Sequence, residues 1–431
     1  MTLLYFSCVL RSAIPLRLFD IPGPCSGRCA LLPKRLMTPR AVFWRAIVHM
    51  FMGVFLSIMC IATHAETVHV GVTVPLTGPA AVLGIGARNA IHLFPRKIAG
   101  VEVHFNIVDD ASDTTKSVRN ARMFIDEKQD LILGSSTSPQ SLAIIEAIAG
   151  SQTPVIALGA STRIVAPMDE KRKWVFKTAG NDTLMAEALI RHMLKQGVKS
   201  IGFIGFNDAY GESWLSEIKV LAQRNQIKLL GVERFHAKDS SVTAQVLRVT
   251  AKAPDAIIIA GSGTPAALPQ MTLKERGYGG KIYQTHGAAT EDFLRIGGKA
   301  LNGAYLPVGP NLVWEQLPDD DVTKAVSARF VPLYESKYGV RSRSNFAAQA
   351  YDVQLLLERA LPLALKKAKP GTREFRIALR DALEGIDNLP ANAGVFNMSP
   401  TDHAGLDARA SVMVRIEDGK WVLDCLPPDR T

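Results

Sequence analysis

The chain has 431 residues, with 50 basic and 40 acidic side chains, five cysteines and 47% apolar residues. Seven of the basic residues, one of the acidic ones and four of the cysteines fall within residues 1–65, so the 366 residues beyond carry a net charge of about +4 and one thiol, Cys425. This balance excludes a basic run of the kind that binds nucleic acid and an internal disulfide, and the length exceeds one ordinary core and favours two domains.

Residues 41–62, AVFWRAIVHMFMGVFLSIMCIA, are an apolar stretch preceded by Arg40 and interrupted by Arg45. Thr63-His64-Ala65 ends it with small residues at the first and third positions before Glu66. A basic flank, a short apolar core and a small-x-small exit predict a secretory signal peptide cleaved after Ala65, and a periplasmic destination. The alternative is a membrane anchor, but the uninterrupted core after Arg45 is short for a span of roughly 20 residues. Cys60 does not suit lipid attachment, because Met59 before it is bulky. Residues 1–36 match neither a signal nor a fold, and Met37 makes an ordinary signal-peptide start.

Beyond the leader the chain alternates between strand and helix. Thr67–Val74 is a β-rich run, residues 80–98 have helical apolar spacing, and 101–108 return to strand. A helix over 114–127, a strand over 131–133, a helix over 138–149 and a strand over 154–158 follow. The pattern pauses near 177–180 and restarts with helix 182–196, strand 200–205, helix 211–224 and strand 227–234. Strand 255–260, helix 264–276 and strand 281–284 continue this second run. Alternation at this spacing means parallel βαβ units with helices on both faces of a sheet. Helices over 321–338, 345–368 and 372–384 come next, then a hairpin from 410–416 and 420–423 around Glu417-Asp418-Gly419-Lys420. The expected fold is α/β: two doubly wound parallel-sheet lobes joined by crossing strands around a central cleft. Lobe 1 takes 66–180 and 310–388, and lobe 2 takes 181–309 and 389–431. Such a hinged cleft closes around a ligand.

Ligands of open α/β sheets bind beyond the carboxyl ends of the strands. After the strand at 131–133 comes Gly134-Ser135-Ser136-Thr137-Ser138-Pro139-Gln140, with Ser138 suited to N-cap a helix and Pro139 to its first position. Capping alone would explain those two residues, but not three further hydroxyls in one loop. Helix N–H groups flanked by hydroxyls make an anion site without a cation, matched to a carboxylate. In Leu158-Gly159-Ala160-Ser161-Thr162, small residues admit a ligand to the backbone and Ser161 offers a second hydroxyl to the same anion. Tyr210, in a polar loop before a helix, is expected as an amphipathic lid over the ligand rather than a core tyrosine. His286 follows another second-lobe strand, where it serves either the structure or, as a donor or partial cation, the ligand's far end.

VHVGVTVPLTGPAAVLGIGARNAI resembles the first strand–loop–helix of the branched-chain amino-acid-binding (Leu/Ile/Val type) family of ABC-transporter periplasmic proteins. So do VDDASDTTKSV, GSSTSPQSLAI, TPVIALGAST, FKTAGND, FNDAYGES, QMTLKERGYGGKIYQTHG and AAQAYDVQLLL, and together they span the chain beyond the leader. The resemblance implies the type I periplasmic binding protein fold and an ABC-transporter permease in the inner membrane as partner. By position, the family's carboxylate-binding serine falls on Ser138, and its backbone and hydroxyl contacts on Ala160 and Ser161. Its ring-stacking tyrosine falls on Tyr210, and the first-loop side chain over the ligand on Leu83. Where amino-acid binders hold the α-ammonium with an acidic residue, this chain has His286. Asp208 in the neighbouring loop is the alternative partner for an ammonium. Without it the site suits a carboxylate with a neutral aromatic or aliphatic body.

The expected function is the solute-binding component of an importer for a small carboxylate-bearing ligand: an aromatic or aliphatic acid, or an amino acid. It is expected to act as a monomer, without enzymatic activity, cofactor or metal. A ligand-sensing subunit of a receptor or regulatory system is the alternative. A nucleotide-cofactor enzyme is disfavoured. Gly84-Ile85-Gly86 lacks a third glycine, since Asn89 stands there, and lies about ten residues past the strand rather than in its first turn. No G-x-S-x-G, H-E-x-x-H or clustered Cys/His set is present, and neighbouring Asp109 and Asp110 point apart and read as cap and loop residues. Mass spectrometry of the exported protein is expected to find Glu66 at its N-terminus; an intact leader would overturn the export reading.

Overall fold

The computed structural model describes residues 66–427, so the leader expected over residues 1–65 lies outside it. Strand β1 (Thr67–Val74) places Val68, Val70, Val72 and Val74 on one face, all buried. Its other face carries Gly71, where a Cβ would lie 2.3 Å from the Phe124 ring. β1 pairs in parallel with β3 (Val101–Asp109) on one side and β4 (Leu131–Gly134) on the other. β5 (Val155–Ala157) and β6 (Val175–Lys177) extend that side, and the two-residue β2 (Lys97–Ile98) adds an antiparallel edge to β3.

Strands buried on both faces need helices on both. Helices Ala81–Ile91, Asn345–Leu365 and Arg373–Glu384 cover the valine face, and Thr114–Asp126 and Ser138–Ile148 cover the other. The helix expected over 80–98 stops at Ile91. Pro95 lies just beyond, and a proline ring cannot continue a helix, so residues 97–98 become an edge strand.

The second lobe repeats the design. Its seven-stranded sheet has the order β15–β14–β11–β10–β9–β7–β8. β7 (Ser200–Phe206), β8 (Lys228–Phe235), β9 (Ala256–Ala260), β10 (Lys281–Gln284) and β11 (Tyr305–Val308) run parallel. The hairpin β14 (Val412–Glu417) and β15 (Lys420–Cys425) joins antiparallel to β11. Helices Asp182–Lys195, Ala209–Arg224, Thr243–Thr250, Ala267–Glu275 and Glu291–Gly297 contribute side chains to its core, with Trp214 fully buried among them.

The crossings fall at different places from those expected. Leu312, Val313 and Leu317 belong to the second-lobe core, so the first lobe resumes near helix Val322–Tyr338 rather than at 310. Leu389–Met398, which includes β12 (Leu389–Pro390) and β13 (Val395–Phe396), packs in the first-lobe core, so the last crossing follows Met398. A buried carboxylate holds residues 392–393 in the first lobe. Asp352, on helix Asn345–Leu365, accepts the backbone N–H and side-chain amide of Asn392 at 2.9 and 2.8 Å and the N–H of Ala393 at 2.8 Å. Asp352→Ala would orphan these donors and is expected to destabilise the protein by about 3 kcal/mol or more, read as a lower urea midpoint.

Candidate functional site

Strand order decides where the site lies. β1 stands between β3 and β4, and β7 stands between β8 and β9, so each sheet reverses its winding there. Loops leaving the two sides of such a switch point diverge and open a crevice beyond the strand carboxyl ends. Loops from both lobes line one cavity of about 610 Å3, within the range of small-molecule sites.

The first-lobe wall is built on the start of helix Ser138–Ile148. Thr137, extended at φ −127° and ψ 150°, is its N-cap; Ser138 is the first helical residue and Pro139 the second. The cap expected at Ser138 therefore sits one residue earlier. Ser138 Oγ instead accepts the N–H of Ser161 at 3.1 Å, and its own proton stays free for an acceptor in the cavity that Ser138 lines. Neighbouring hydroxyls divide by task. Ser135 donates to Asp110 at 2.7 Å and Thr137 bonds Gln140, whereas Ser136 is buried on the cavity wall without a partner in the protein. First-turn N–H groups have no intrahelical acceptor, and the helix dipole adds partial positive charge there. Asp109 and Asp110 do loop work, as their adjacency implied. Asp109 accepts from the N–H groups of Leu76, Thr77 and Ala111, and Asp110 from that of Ser112.

Ala160 lines the cavity, but the Ser161 hydroxyl does not reach it. It donates to Ser213 Oγ of the second lobe at 3.0 Å and accepts the N–H of Arg163, so it ties the lobes together rather than serving an anion. Behind this loop the Lys177 ammonium is fully buried and donates to the carbonyl oxygens of Ala160 and Ser161. Leu83, on helix Ala81–Ile91, closes the wall and meets the second lobe at Gly263. There φ is +60°, and a Cβ would lie 3.0 Å from Leu83 Cδ1. Only a residue without a side chain takes that backbone shape at that separation without strain.

On the second-lobe wall, Asp208 N-caps helix Ala209–Arg224 through the N–H groups of Tyr210 and Gly211. Tyr210 is not a mobile lid. Its hydroxyl donates to Thr285 Oγ1 at 2.8 Å and accepts the N–H of Gly287 at 3.1 Å, which fixes the ring as a wall and pins the loop carrying His286. His286 is 2% exposed, lines the cavity, and neither ring nitrogen has a partner in the protein. Burial, assisted by the charge of Lys177, pushes it down to about 3, so the imidazole is neutral and not a partial cation. Phe206, Phe346 and Gln349 complete the wall. The last two come from helix Asn345–Leu365, Gln349 inside the motif AAQAYDVQLLL and Phe346 just before it, in an apolar run that reads as core from sequence alone.

Two similar α/β lobes, joined by crossing segments and enclosing a polar-ended cavity at their switch points, define a solute-binding clamp. The periplasmic binding protein family model matches residues 67–420, and the chain belongs to that family. It is similar to an extracellular ligand-binding receptor from Rhodopseudomonas palustris HaA2, at 41% identity and a TM-score of 0.81 over 84% of this chain and 100% of that one. A Leu/Ile/Val-binding protein of Rhizobium johnstonii is 22% identical over 83% of this chain and 94% of its own length. The fold also matches, at 21% identity and a TM-score of 0.69, the solute-binding protein of an ABC transporter from Rhodopseudomonas palustris BisB5, solved with 3,4-dihydroxybenzoic acid. That match covers 85% of this chain and 99% of the other.

Tyr210→Phe keeps the wall but leaves the Gly287 N–H without an acceptor. It is expected to lower stability by about 1–3 kcal/mol, measured by chemical denaturation.

Proposed function

We propose that this periplasmic solute-binding protein is the capture component of an ABC importer, and that it holds a small carboxylate-bearing ligand between its lobes and delivers it to a permease. The observation that carries this reading is the first-lobe wall. Ser136 and Ser138 each have a hydroxyl proton that no protein acceptor takes, beside the N-terminal turn of helix Ser138–Ile148. Donors without a cation stabilise a singly charged, planar anion through several hydrogen bonds at once. Leu83, Ala160, Tyr210, Phe206 and Phe346 would then enclose an apolar body, with His286 at the opposite end. In the Rhodopseudomonas palustris BisB5 relative the same fold holds an aromatic acid, which supports a ligand without an amino group.

The inter-lobe contacts suit a clamp: Ser161 with Ser213, Leu83 against Gly263, and Arg341 with Glu291 at 3.0 Å. Ligand that bridges both walls favours the closed form by its differential contacts with the two states. A thermal-shift screen of aromatic and aliphatic acids and amino acids is expected to give stabilising acids, because a ligand bound to the folded state raises its stability. By titration calorimetry, Ser138→Ala and Ser136→Ala are each expected to weaken such an acid by about 1–3 kcal/mol. Unchanged affinity in both would remove this wall from the site.

A further inference from the structure

Several polar groups on the cavity's far side are already engaged, and Lys238 and Ser262, which also line it, are not buried. Tyr210 holds Thr285 and Gly287, and Asp208 caps its helix. Asp239 accepts the N–H of His236. His286 differs: it is buried, faces the cavity, and has two ring nitrogens without partners. Its ring lies 6.0 Å from that of Tyr210 and 5.7 Å from that of Trp214. A buried polar atom is rarely left without a partner, so the ring's two nitrogens point to a ligand group.

We infer that His286 is a specificity-determining residue that hydrogen-bonds a hydroxyl on the ligand, so that the site takes hydroxylated organic acids and rejects α-amino acids. The inference rests on the carboxylate reading above and extends it to the ligand's other end. A neutral imidazole offers one N–H donor and one lone pair. A hydroxyl, being both donor and acceptor, satisfies either nitrogen in either tautomer. An ammonium only donates, so it can meet the ring only through its lone pair, whereas a hydroxyl can meet whichever nitrogen faces the ligand. It would also carry positive charge toward Lys177, whose charge adds to burial in keeping the imidazole neutral. Asp182 offsets part of that charge but is drawn to Lys177 itself. The aromatic and aliphatic walls of Phe206, Tyr210, Phe346 and Leu83 suit a flat apolar body between the two polar ends.

The test is titration calorimetry of the whole protein with benzoate, 4-hydroxybenzoate, 3,4-dihydroxybenzoate and leucine, all in one buffer. At least one hydroxybenzoate is expected to bind about tenfold or more tighter than benzoate, as a hydrogen bond to a buried partner gives, and leucine is expected to bind weakest. His286→Phe is expected to erase the gap between hydroxybenzoates and benzoate. His286→Gln, which keeps a donor and an acceptor, is expected to retain a preference and guards against a misfolded phenylalanine variant. Equal binding of benzoate and both hydroxybenzoates by the parent protein would overturn the His286 assignment and leave the carboxylate wall standing. So would leucine binding as tightly as the acids. If no acid binds, or if binding ignores Ser136→Ala and Ser138→Ala together, the carboxylate reading fails and takes this inference with it.

Discussion

Removing an ammonium from water costs several kcal/mol even after the protein relaxes, and Lys177, at the end of β6, is fully buried. Its donors end on the carbonyl oxygens of Ala160 and Ser161, and Asp182 supplies the nearby negative charge. Burial holds the lysine below its ordinary range and the aspartate above its own, while each opposes the other's shift. Both ends of the cavity depend on this one cation. It holds the turn that aims the Ser161 N–H at Ser138, and its charge reaches His286 across the cleft. The same buried group thus supports the anion-accepting wall and adds to the burial that keeps the imidazole neutral.

The two lobes solve the same packing problem twice, and their differences show what the first solution lacked. Helix Ala81–Ile91 begins the first sheet's cover on the valine face, and it is completed only when the chain returns for helix Asn345–Leu365. That helix brings Phe346 and Gln349 to the cavity, so the element completing the core also completes the site. The second sheet is closed at its β11 side by the antiparallel hairpin from the end of the chain. Each lobe is therefore unfinished until the chain has passed through the other.

The α/β alternation, the two lobes and the hairpin were legible in sequence because period-two and period-3.6 apolar patterns persist over whole elements. Short helices such as Thr243–Thr250 were not, since eight residues carry little periodic signal. The last lobe boundary moved because residues 389–398 lack a strong pattern of their own, and the buried carboxylate of Asp352 holds residues 392–393 in the first lobe. At the site, the 134–140 loop was recognisable from its density of hydroxyls, but composition could not say which hydroxyls were spent. Ser135 is consumed by Asp110, some 25 residues earlier, and Ser161 by Ser213, some 52 residues later. Those partners are brought near by the fold alone. Ser136 therefore stood only as one of several loop hydroxyls, and the bond from Ser161 to Ser213 could not be read from the sequence.

The bond between Ser161 and Ser213, the contact between the Thr162 and Thr183 hydroxyls, and the half-exposed pair of Arg341 with Glu291 are among the polar ties across the cleft. A neutral hydroxyl bond and a partly solvated ion pair are each worth on the order of 1 kcal/mol. Such ties set the register in which the halves meet, yet they are too weak to keep the halves together for long. In a clamp of the proposed kind the cargo would supply much of the remaining adhesion, so the spacing between the two outer surfaces would gauge whether the vessel is full. A partner resting on both surfaces at once can verify a load by fit alone, without ever probing the chemistry sealed inside.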